Sequence, residues 1–503
     1  MPLIDLTPPP GVIKPGTVYD AKGRWYDTKW VRWFEGVMQA VGGYEAVEAN
    51  GAQIDAAERV SGTLGWRNNT GAPLLAWGGP AQIKVLKGGS VFDVTPAAGF
   101  TAGSADAVIT TGNYGNGDYG QGLYGVGDSV ISDLQEAQTY QMDNYGEDVF
   151  FVAHSDGQLW FIDQNGDSGD PLEAGLITAT TGSVPTNNLG VVVTPERFVC
   201  VLGASGDGRL IQWPDQDDYT DWLASATNQA GDFNLPGQGA IMAGRRAQAE
   251  TLIWTDQELF ALRYIGGNFV YQAVPVGAVG AISRRSMAVV GSVAYWMSPR
   301  GFYIYNGFTQ AIESPLADYV FSDINLNQVS KVWAETRAEY GEVTWHYPSG
   351  GSTECDRSVT YNFNDGFWQN NELARSAGED RGALDYPVAF DPDGYLWRHE
   401  TGGFYGAGVR PEATSGPLEI GKGDNVMHVQ SLIPDEKSLG DVDIYLLTSF
   451  YPTAEETPNG PFTPANPTDI RLTARQVRLK VVEDQPNWRI GTIRADVELG
   501  GRR

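Results

Sequence analysis

The chain has 503 residues, and its 62 acidic against 34 basic residues give a formal net charge of −28 at pH 7. This length exceeds that of one ordinary domain, while 63 glycines and 11% aromatic residues are typical of many strands joined by tight turns. Such acidity argues against electrostatic binding of nucleic acid, although DNA could pass the surface without adhering.

A strand-turn-strand phrase occupies residues 250–260 and returns at 293–303. Each copy joins two apolar or aromatic runs through a polar turn, which predicts an antiparallel hairpin. Hairpins recurring at irregular spacing predict an all-β fold, a β-propeller with loop insertions. Unrelated hairpins in sandwiches are the alternative. Further copies lie at 148–160, with Asp156 and Gly157 at the turn, at 198–211, at 387–397 and, more loosely, at 74–92.

The chain divides into an N-terminal aromatic and basic arm at 1–53, the propeller at 54–405 and a separate β-sandwich-like domain at 406–503. The sandwich is predicted from strand-like runs on either side of a proline-rich loop at 452–467. In the arm, a packing or subunit-docking role is favoured over a nucleic-acid platform, since its positive charge is small against the total. The arm carries Trp25, Tyr26, Trp30, Trp33 and Phe34 among Lys22, Arg24, Lys29 and Arg32.

Three polar loops are candidates for contact or binding. Tyr114, Tyr119 and Tyr124 recur in a glycine-rich stretch, which predicts an exposed loop that is either a contact loop or a flexible insertion. Residues 163–170 resemble a calcium loop but lack the EF-hand layout, so a solvated turn is favoured. The acidic loop, Asp215, Asp217, Asp218 and Asp221, is either a solvated loop or a lining of a DNA channel.

Local patterns indicate structure rather than chemistry. Ser314 is predicted to cap a helix that presents Leu316, Val320 and Ile324 on one face. Cys200 falls in an apolar strand and is expected to be a buried free thiol, while His154 and His346 are expected to be hydrogen-bonded structural imidazoles. The N-terminus lacks a signal pattern and no long apolar run occurs, so we expect a soluble protein made in the cytoplasm, without a membrane span.

No nucleophile elbow, zinc-binding helix or phosphate loop is present in the sequence. Paired carboxylates for sugar hydrolysis stay open, because their separation arises only in the fold. We expect no cofactor, no metal and no enzymatic activity.

Several phrases together resemble the tail stabilisation, or nozzle, proteins of short-tailed bacteriophages. They cover most of the chain from Thr194 onward, with a weaker match at 23–26. The resemblance implies six copies in a propeller-containing tube below the portal and its adaptor ring, through which DNA leaves, and it carries over no catalytic residue. The phrases are 229–233, 253–256, Trp296 with Met297, 320–325, 352–357, 488–491 and 494–496.

The leading hypothesis is therefore a structural virion protein, a tail nozzle or hub acting in genome ejection. Its expected partners are copies of itself in a homohexamer, the adaptor or head-to-tail connector protein, tail fibre or needle proteins, and double-stranded DNA in transient passage. The alternative is a host-glycan-binding or glycan-cleaving tailspike or receptor-binding protein. Such spikes are usually trimers, so the copy number would separate the two.

Overall fold

The computed structural model describes residues 3–110, 133–164, 173–419, 425–435, 437–438, 442–452, 454–463, 467–483 and 488–501. These residues are almost entirely β-structure. The first strands are β1 (Leu3–Asp5), β2 (Trp25–Lys29), β3 (Val31–Phe34), β4 (Val37–Ala40), β5 (Tyr44–Ala46), β6 (Glu48–Ala49) and β7 (Ala52–Gln53).

Seven four-stranded antiparallel sheets, here called blades 1 to 7, follow within the described residues. Blade 1 contains β8 (Gly62–Arg67), β9 (Pro73–Gly78), β10 (Ile83–Lys87) and β11 (Ser90–Asp93), and a small pair, β12 (Val108–Thr110) with β13 (Asp133–Gln135), leads to blade 2. Blade 2 contains β14 (Tyr140–Tyr145), β15 (Asp148–Ala153), β16 (Leu159–Asp163) and β17 (Glu173–Leu176), and blade 3 contains β18 (Gly190–Val193), β19 (Val199–Leu202), β20 (Leu210–Trp213) and β21 (Gly231–Asn234).

The remaining blades repeat this pattern. Blade 4 contains β22 (Ile241–Arg246), β23 (Thr251–Thr255), β24 (Leu259–Tyr264) and β25 (Tyr271–Gly277), and blade 5 contains β26 (Met287–Val290), β27 (Val293–Ser298), β28 (Gly301–Tyr305) and β29 (Thr309–Ile312). Blade 6 contains β30 (Trp333–Arg337), β31 (Glu342–Pro348), β32 (Cys355–Asn362) and β33 (Trp368–Glu372), and blade 7 contains β34 (Ala377–Glu379), β35 (Val388–Phe390), β36 (Leu396–His399) and the N-terminal β5.

The blades form a closed ring. The first strand of each blade is the inner strand, and that of blade 7, β34, contacts that of blade 1, β8. The outer edge of blade 7 is supplied by the N-terminal strand, because His399 of β36 pairs with Tyr44 of β5. Strands from both regions of the chain thus complete the last blade and close the ring, and the remaining strand edges are short. The predicted β-propeller is confirmed.

The phrase recognised in the sequence is the second and third strand of a blade. It accounts for blades 1 to 5 and blade 7, and the turn of blade 2 places Gly157 at φ 65°, as a tight turn of this kind favours. Blade 6 has the same pair in β31 and β32, joined by a longer turn that contains Gly350 and Gly351. Neighbouring strands are antiparallel, so the turn between the second and third strand of each blade lies on the same face of the propeller as the connections from one blade to the next. We call this face the closed face. The other turns lie on the opposite, open face.

The predicted helix is shorter and begins later than its pattern indicated. The α-helix α1 (Ala317–Asp323) has Leu316 at its N-cap position, and Ser314 instead accepts a hydrogen bond from the backbone N–H of Leu316 at 3.2 Å. Pro315 has no N–H to donate, so Ser314 stabilises the turn before the helix. The apolar face is as expected, since Leu316 and Val320 are fully buried. The 3₁₀ helices are Tyr19–Ala21, Ala204–Gly206, Gly267–Phe269, Leu326–Lys331 and Ala338–Tyr340.

The C-terminal strands build three further sheets that also include N-terminal strands, and the smallest of these contains β3, β4 and β43. Strand β1 pairs with β44, and β2 pairs with β37. The predicted proline-rich loop is not strand-free, since β40 lies within it and pairs with β39. The strands are β37 (Glu412–Ser415), β38 (Met427–Pro434), β39 (Asp443–Ser449), β40 (Thr457–Phe462), β41 (Thr468–Ala474), β42 (Gln476–Val482), β43 (Arg489–Ile490) and β44 (Ile493–Leu499).

The predicted N-terminal arm packs within the chain itself. Trp25, Trp30 and Trp33 are buried, and Trp25 and Trp33 share one hydrophobic core with blades 5 and 6 and with the C-terminal sheets. The three tryptophans among the basic residues are therefore core residues, whereas Tyr26 and Phe34 are half-buried.

Candidate functional site

A cavity of about 320 Å³ lies on the axis of the propeller. Inner strands of all seven blades line it, so that each blade contributes only one to four residues. Side chains that are far apart in the chain therefore meet there. The charged side chains along this lining are Asp143, Arg245, Arg246, Arg285, Glu335, Glu379 and Asp380.

The cavity is covered on the closed face. The side-chain amide of Gln328 donates to the carbonyl of Ala107, and its oxygen accepts from the N–H of Ala107, each at 2.9 Å. Ala107 belongs to the connection between blades 1 and 2, and Gln328 to the connection between blades 5 and 6. These connections start from nearly opposite sides of the ring, so they meet only by crossing the end of the channel. The channel is consequently blind at this face.

Ion pairs of the buried Lys331 stabilise the same cover. Lys331 is fully buried, and its Nζ lies 2.6 Å from Oδ1 of Asp106 and 2.5 Å from Oε1 of Glu354. Its third hydrogen bond is to the carbonyl of Thr353, at 2.7 Å. All three N–H groups of the ammonium therefore have acceptors, as a buried polar group requires.

Arg285 lies at the closed end of the cavity. It is buried, donates from Nη1 to the carbonyl of Ser376 at 3.2 Å, and lies with its guanidinium carbon 5.6 Å from the ring centre of Trp333. Burial, together with the positive charge of Arg59, lowers the pKa of Arg285 to about 9. This cation is thus held where counter-charge is scarce.

Arg245 lies farther along the cavity on β22. It makes no hydrogen bond or ion pair with a described residue, and its remaining accessible surface faces the cavity. The surrounding blades remove bulk water, and this desolvation lowers the pKa of Arg245 even though Asp143 and Glu379 act in the opposite direction.

The two carboxylates near these arginines differ in their partners. Asp143 accepts hydrogen bonds from the backbone N–H of Val193 at 2.8 Å and of Asn144 at 2.9 Å, and lies 3.6 Å from Nη2 of Arg246. Burial still raises the pKa of Asp143. Burial raises the pKa of Glu379 further, to about 7, against the opposing effects of Thr63, Arg245 and Arg285. Glu379 therefore titrates near neutral pH.

The acidic loop lies elsewhere, between β20 and β21 at the periphery of the open face. Asp215 accepts from the N–H of Gln229 at 2.6 Å, and Asp218 accepts from the N–H of Thr220 at 3.0 Å. Asp217 pairs with Arg197, a basic partner from the neighbouring turn that is close only in space. The structure thus brings the four aspartates into one ordered loop away from the propeller axis, and a position facing a DNA channel stays a prediction.

Asp221 is the fourth member of that loop. It accepts hydrogen bonds from the hydroxyl of Thr181 and from the amide of Asn228, the latter at 2.8 Å. These hydrogen bonds, that from Thr181 first, lower the pKa of Asp221. Asp221 is therefore a structural acceptor in the loop.

The other predicted sites are only partly visible. Tyr114, Tyr119 and Tyr124 lie outside the described residues, as does most of 163–170. In the described part of the chain no group of three or more His, Cys, Asp or Glu residues is placed to hold a metal ion, and no helix is long and apolar enough to cross a bilayer.

His346 and Cys200 have the structural surroundings expected of them. Nε2 of His346 lies 3.1 Å from Oε1 of Glu335, and Nε2 of His154 lies 3.4 Å from Oε2 of Glu136. Burial lowers the pKa of both imidazoles, that of His154 to about 4. Cys200 and Cys355 are free and buried, and burial raises the pKa of each thiol.

Sequence reasoning missed the axial residues Arg245, Arg285 and Glu379. One signal was available: two pairs of adjacent arginines, at 245–246 and 284–285, fall just at inner strands of a chain with a strong acidic excess. Glu379 has no comparable signal, because only the ring places it beside those arginines.

No protein-family model matches the chain, and the comparison with curated proteins gives no match either. Among solved structures, a complex of BBS1N with ARL6DN is similar at 10% identity and a TM-score of 0.38, covering 72% of this chain and 97% of that one. Hsv2p of Kluyveromyces lactis matches at 10% identity and a TM-score of 0.33, over 72% and 94%. An exo-beta-1,3-galactanase of Phanerochaete chrysosporium matches at 9% identity and a TM-score of 0.30, over 91% and 100%. At these identities and TM-scores the likenesses carry no argument about function.

Proposed function

We propose that this chain is a structural protein of the virion tail of a short-tailed bacteriophage, where copies of it form a nozzle for the exit of DNA. The sequence phrases that resemble nozzle proteins support this proposal. The single structural observation that carries it is a set of large apolar side chains exposed on one face of the propeller.

These side chains lie in the loops between the third and fourth strands of three successive blades. Leu223 of blade 3 is 58% exposed, Phe269 of blade 4 is 79% exposed and Phe308 of blade 5 is 60% exposed. Ile265, in the same loop as Phe269, is 54% exposed. All four belong to the open face. Large apolar groups gathered on one face of a chain with net charge −28 mark a surface that another protein covers.

A second copy of the chain is the proposed cover. Closed cyclic symmetry lets the loops of one copy meet a different surface of the next without open-ended growth. Six copies form the nozzle, with the adaptor or head-to-tail connector on one side and tail fibre or needle proteins on the other. The nozzle serves as a conduit and has no enzymatic activity of its own. In this account the protein is made in the host cytoplasm and resides in the virion tail.

Native mass spectrometry of the purified chain, alone and with its adaptor, tests the proposal. The expected species has six copies. Phe269→Asp combined with Phe308→Asp should lower the copy number, because assembly would then bury two carboxylates in the apolar contact between copies. Leu326→Asp is the matched control, since Leu326 is 66% exposed but lies on the closed face. It should leave the hexamer intact.

A trimer would favour the alternative, a glycan-binding or glycan-cleaving tailspike. The proposed interface would be rejected if the chain stayed monomeric in the presence of the adaptor. It would also be rejected if the variant with both Phe269→Asp and Phe308→Asp still formed the hexamer.

A further inference from the structure

Two arginines that line the axial cavity have donors that the described residues do not use. Arg245 has no hydrogen bond or ion pair with a described residue, and Arg285 donates from its side chain only to the carbonyl of Ser376. Arg59, whose charge acts on Arg285, is buried, and its Nη1 and Nη2 lack any hydrogen-bond partner among the described residues. Buried guanidinium N–H groups without acceptors are costly in general, so the half-buried Arg245 and the buried Arg285 present donors to a ligand that enters the cavity.

Nearby carboxylates do not supply those acceptors. Nε of Arg59 donates to Oε2 of Glu354 at 2.8 Å, but Glu354 is shared with Lys331. Asp143 is engaged by backbone N–H groups and by Arg246. Glu379 is close enough to act on Arg245 and Arg285, yet it makes no ion pair with either. The guanidinium groups of Arg245 and Arg285 are therefore available to a ligand.

We propose that the blind axial cavity binds a small molecule bearing an oxyanion, a phosphate, sulfate or carboxylate group, through the guanidinium groups of Arg245 and Arg285. Guanidinium presents a planar fork of donors that matches such groups. A cavity of about 320 Å³ admits a small molecule and excludes a polymer. The ligand enters from the open face, since the connections that carry Gln328 and Ala107 cover the other end.

Binding should strengthen at acid pH. The groups that act on Glu379 are Thr63, Arg245, Arg285 and Asp380. Protonation of Glu379 removes a negative charge that competes with the ligand for both arginines. With the pKa of Glu379 near 7, an anion of constant charge should bind more tightly at pH 6 than at pH 8. Glu379→Gln should abolish most of this difference.

Isothermal titration calorimetry of the full chain with sulfate and, separately, with malonate tests the site, in chloride buffer of constant ionic strength. Sulfate stands for tetrahedral oxyanions and keeps its charge over the pH range. Arg245→Met breaks no hydrogen bond or ion pair with a described residue, so it should fold normally and weaken binding about tenfold to hundredfold. Arg300→Met, at an exposed turn of blade 5, is the matched control and should bind as the unchanged protein does.

Binding of either probe that Arg245→Met weakens, with Arg300→Met unaffected, supports the site and identifies the class of oxyanion. Failure of both probes to bind at millimolar concentration would overturn the proposal, as would equal affinity of the Arg245→Met variant. The thermal unfolding midpoint of each variant is measured alongside. Arg245→Lys, which keeps the charge but loses the fork, provides a second variant of intermediate affinity. The proposal is independent of the tail function.

Discussion

The indole rings of Trp254 and Trp296 meet edge to face between blades 4 and 5, with their centroids 6.0 Å apart and their planes at 68°. Both side chains are fully buried, and they occupy the second strand of their blades. Neither indole N–H has a hydrogen-bond partner within the described residues. The contact therefore stabilises the interface between blades 4 and 5 by packing alone.

Truncation of either ring should destabilise the propeller. Trp254→Ala or Trp296→Ala should lower the free energy of unfolding by about 3–5 kcal/mol, because each leaves a large cavity. Trp254→Phe should cost less, since it retains a ring and loses no hydrogen bond. Urea denaturation measures these differences, with Phe308→Ala as an exposed control. A loss of less than about 1 kcal/mol for both alanine variants would contradict this packing.

The ion cluster of Arg32 should be the strongest electrostatic tie between the N-terminal segment and blades 6 and 7. Arg32 is buried, and its Nη2 lies 2.9 Å from Oε2 of Glu342 and 2.6 Å from Oε1 of Glu400. Burial alone would lower the pKa of Arg32, but the two carboxylates outweigh it and raise the pKa. Arg32→Met leaves both carboxylates buried without their cation.

We expect Arg32→Met to lower the free energy of unfolding by about 3–5 kcal/mol in urea titrations. The control is Lys29→Met on the preceding strand, whose pair with Glu372 is more exposed and should be worth less than about 1 kcal/mol. Equal effects of the two substitutions would show that the buried cluster does not hold the segment in place.

His399 should contribute to acid denaturation. It is buried and accepts a hydrogen bond from Nε of Arg375 at 3.0 Å. Burial and the charge of Arg375 lower the pKa of His399 well below its ordinary value. Below about pH 6.5 the unfolded chain binds a proton that the folded chain does not, so stability falls with falling pH.

We expect His399→Gln, which keeps a hydrogen-bond acceptor, to reduce this loss by up to about 1.4 kcal/mol per pH unit below pH 6.5. Urea denaturation at several pH values gives the free energy of unfolding of the unchanged protein and of His399→Gln. Their difference at each pH excludes the contributions of the other titrating groups, which the two proteins share. Parallel pH profiles would mean that His399 is protonated in the folded state.

The acidic loop gives a prediction about DNA. Asp217 and Asp218 are exposed, whereas Asp215 and Asp221 accept hydrogen bonds that shape the loop. If the loop faces a DNA channel in the ring, Asp217→Lys with Asp218→Lys should create phosphate contacts and retard genome release. The salt dependence of DNA binding by the assembled ring should steepen by up to about 0.9 per contact. Asp318→Lys with Asp393→Lys, both exposed elsewhere, is the charge-matched control. No difference between the two pairs would place the acidic loop on the outer wall.

The blades could be predicted from sequence because their signal is local. The phrase at 250–260 contains both strands and the turn of one hairpin, and its continuous apolar runs match strands that are buried on both faces. The helix boundary was misplaced because Ser314 and Pro315 suit a turn as well as a helix start. The closing strand β5 carries no local signal, since its partner β36 lies far along the chain.

The candidate site could not be predicted, because its charges meet only when the ring closes. Asp143 of blade 2 and Arg285 at the start of blade 5 line the same cavity only because the ring brings their blades together. The same holds for Arg245 and Glu379, which belong to different blades. A pattern within one segment reports neither the distance between such groups nor the loss of water around them.

The central claim is that this protein forms the nozzle of a phage tail, and imaging of intact phage particles that carry this chain tests it most directly. Electron cryomicroscopy of the tail, averaged without imposed symmetry and with an epitope fused to the chain, locates the copies. The account predicts six labelled copies in one ring directly below the adaptor. Labelled copies confined to peripheral trimeric spikes, or no label on the particle, would contradict it.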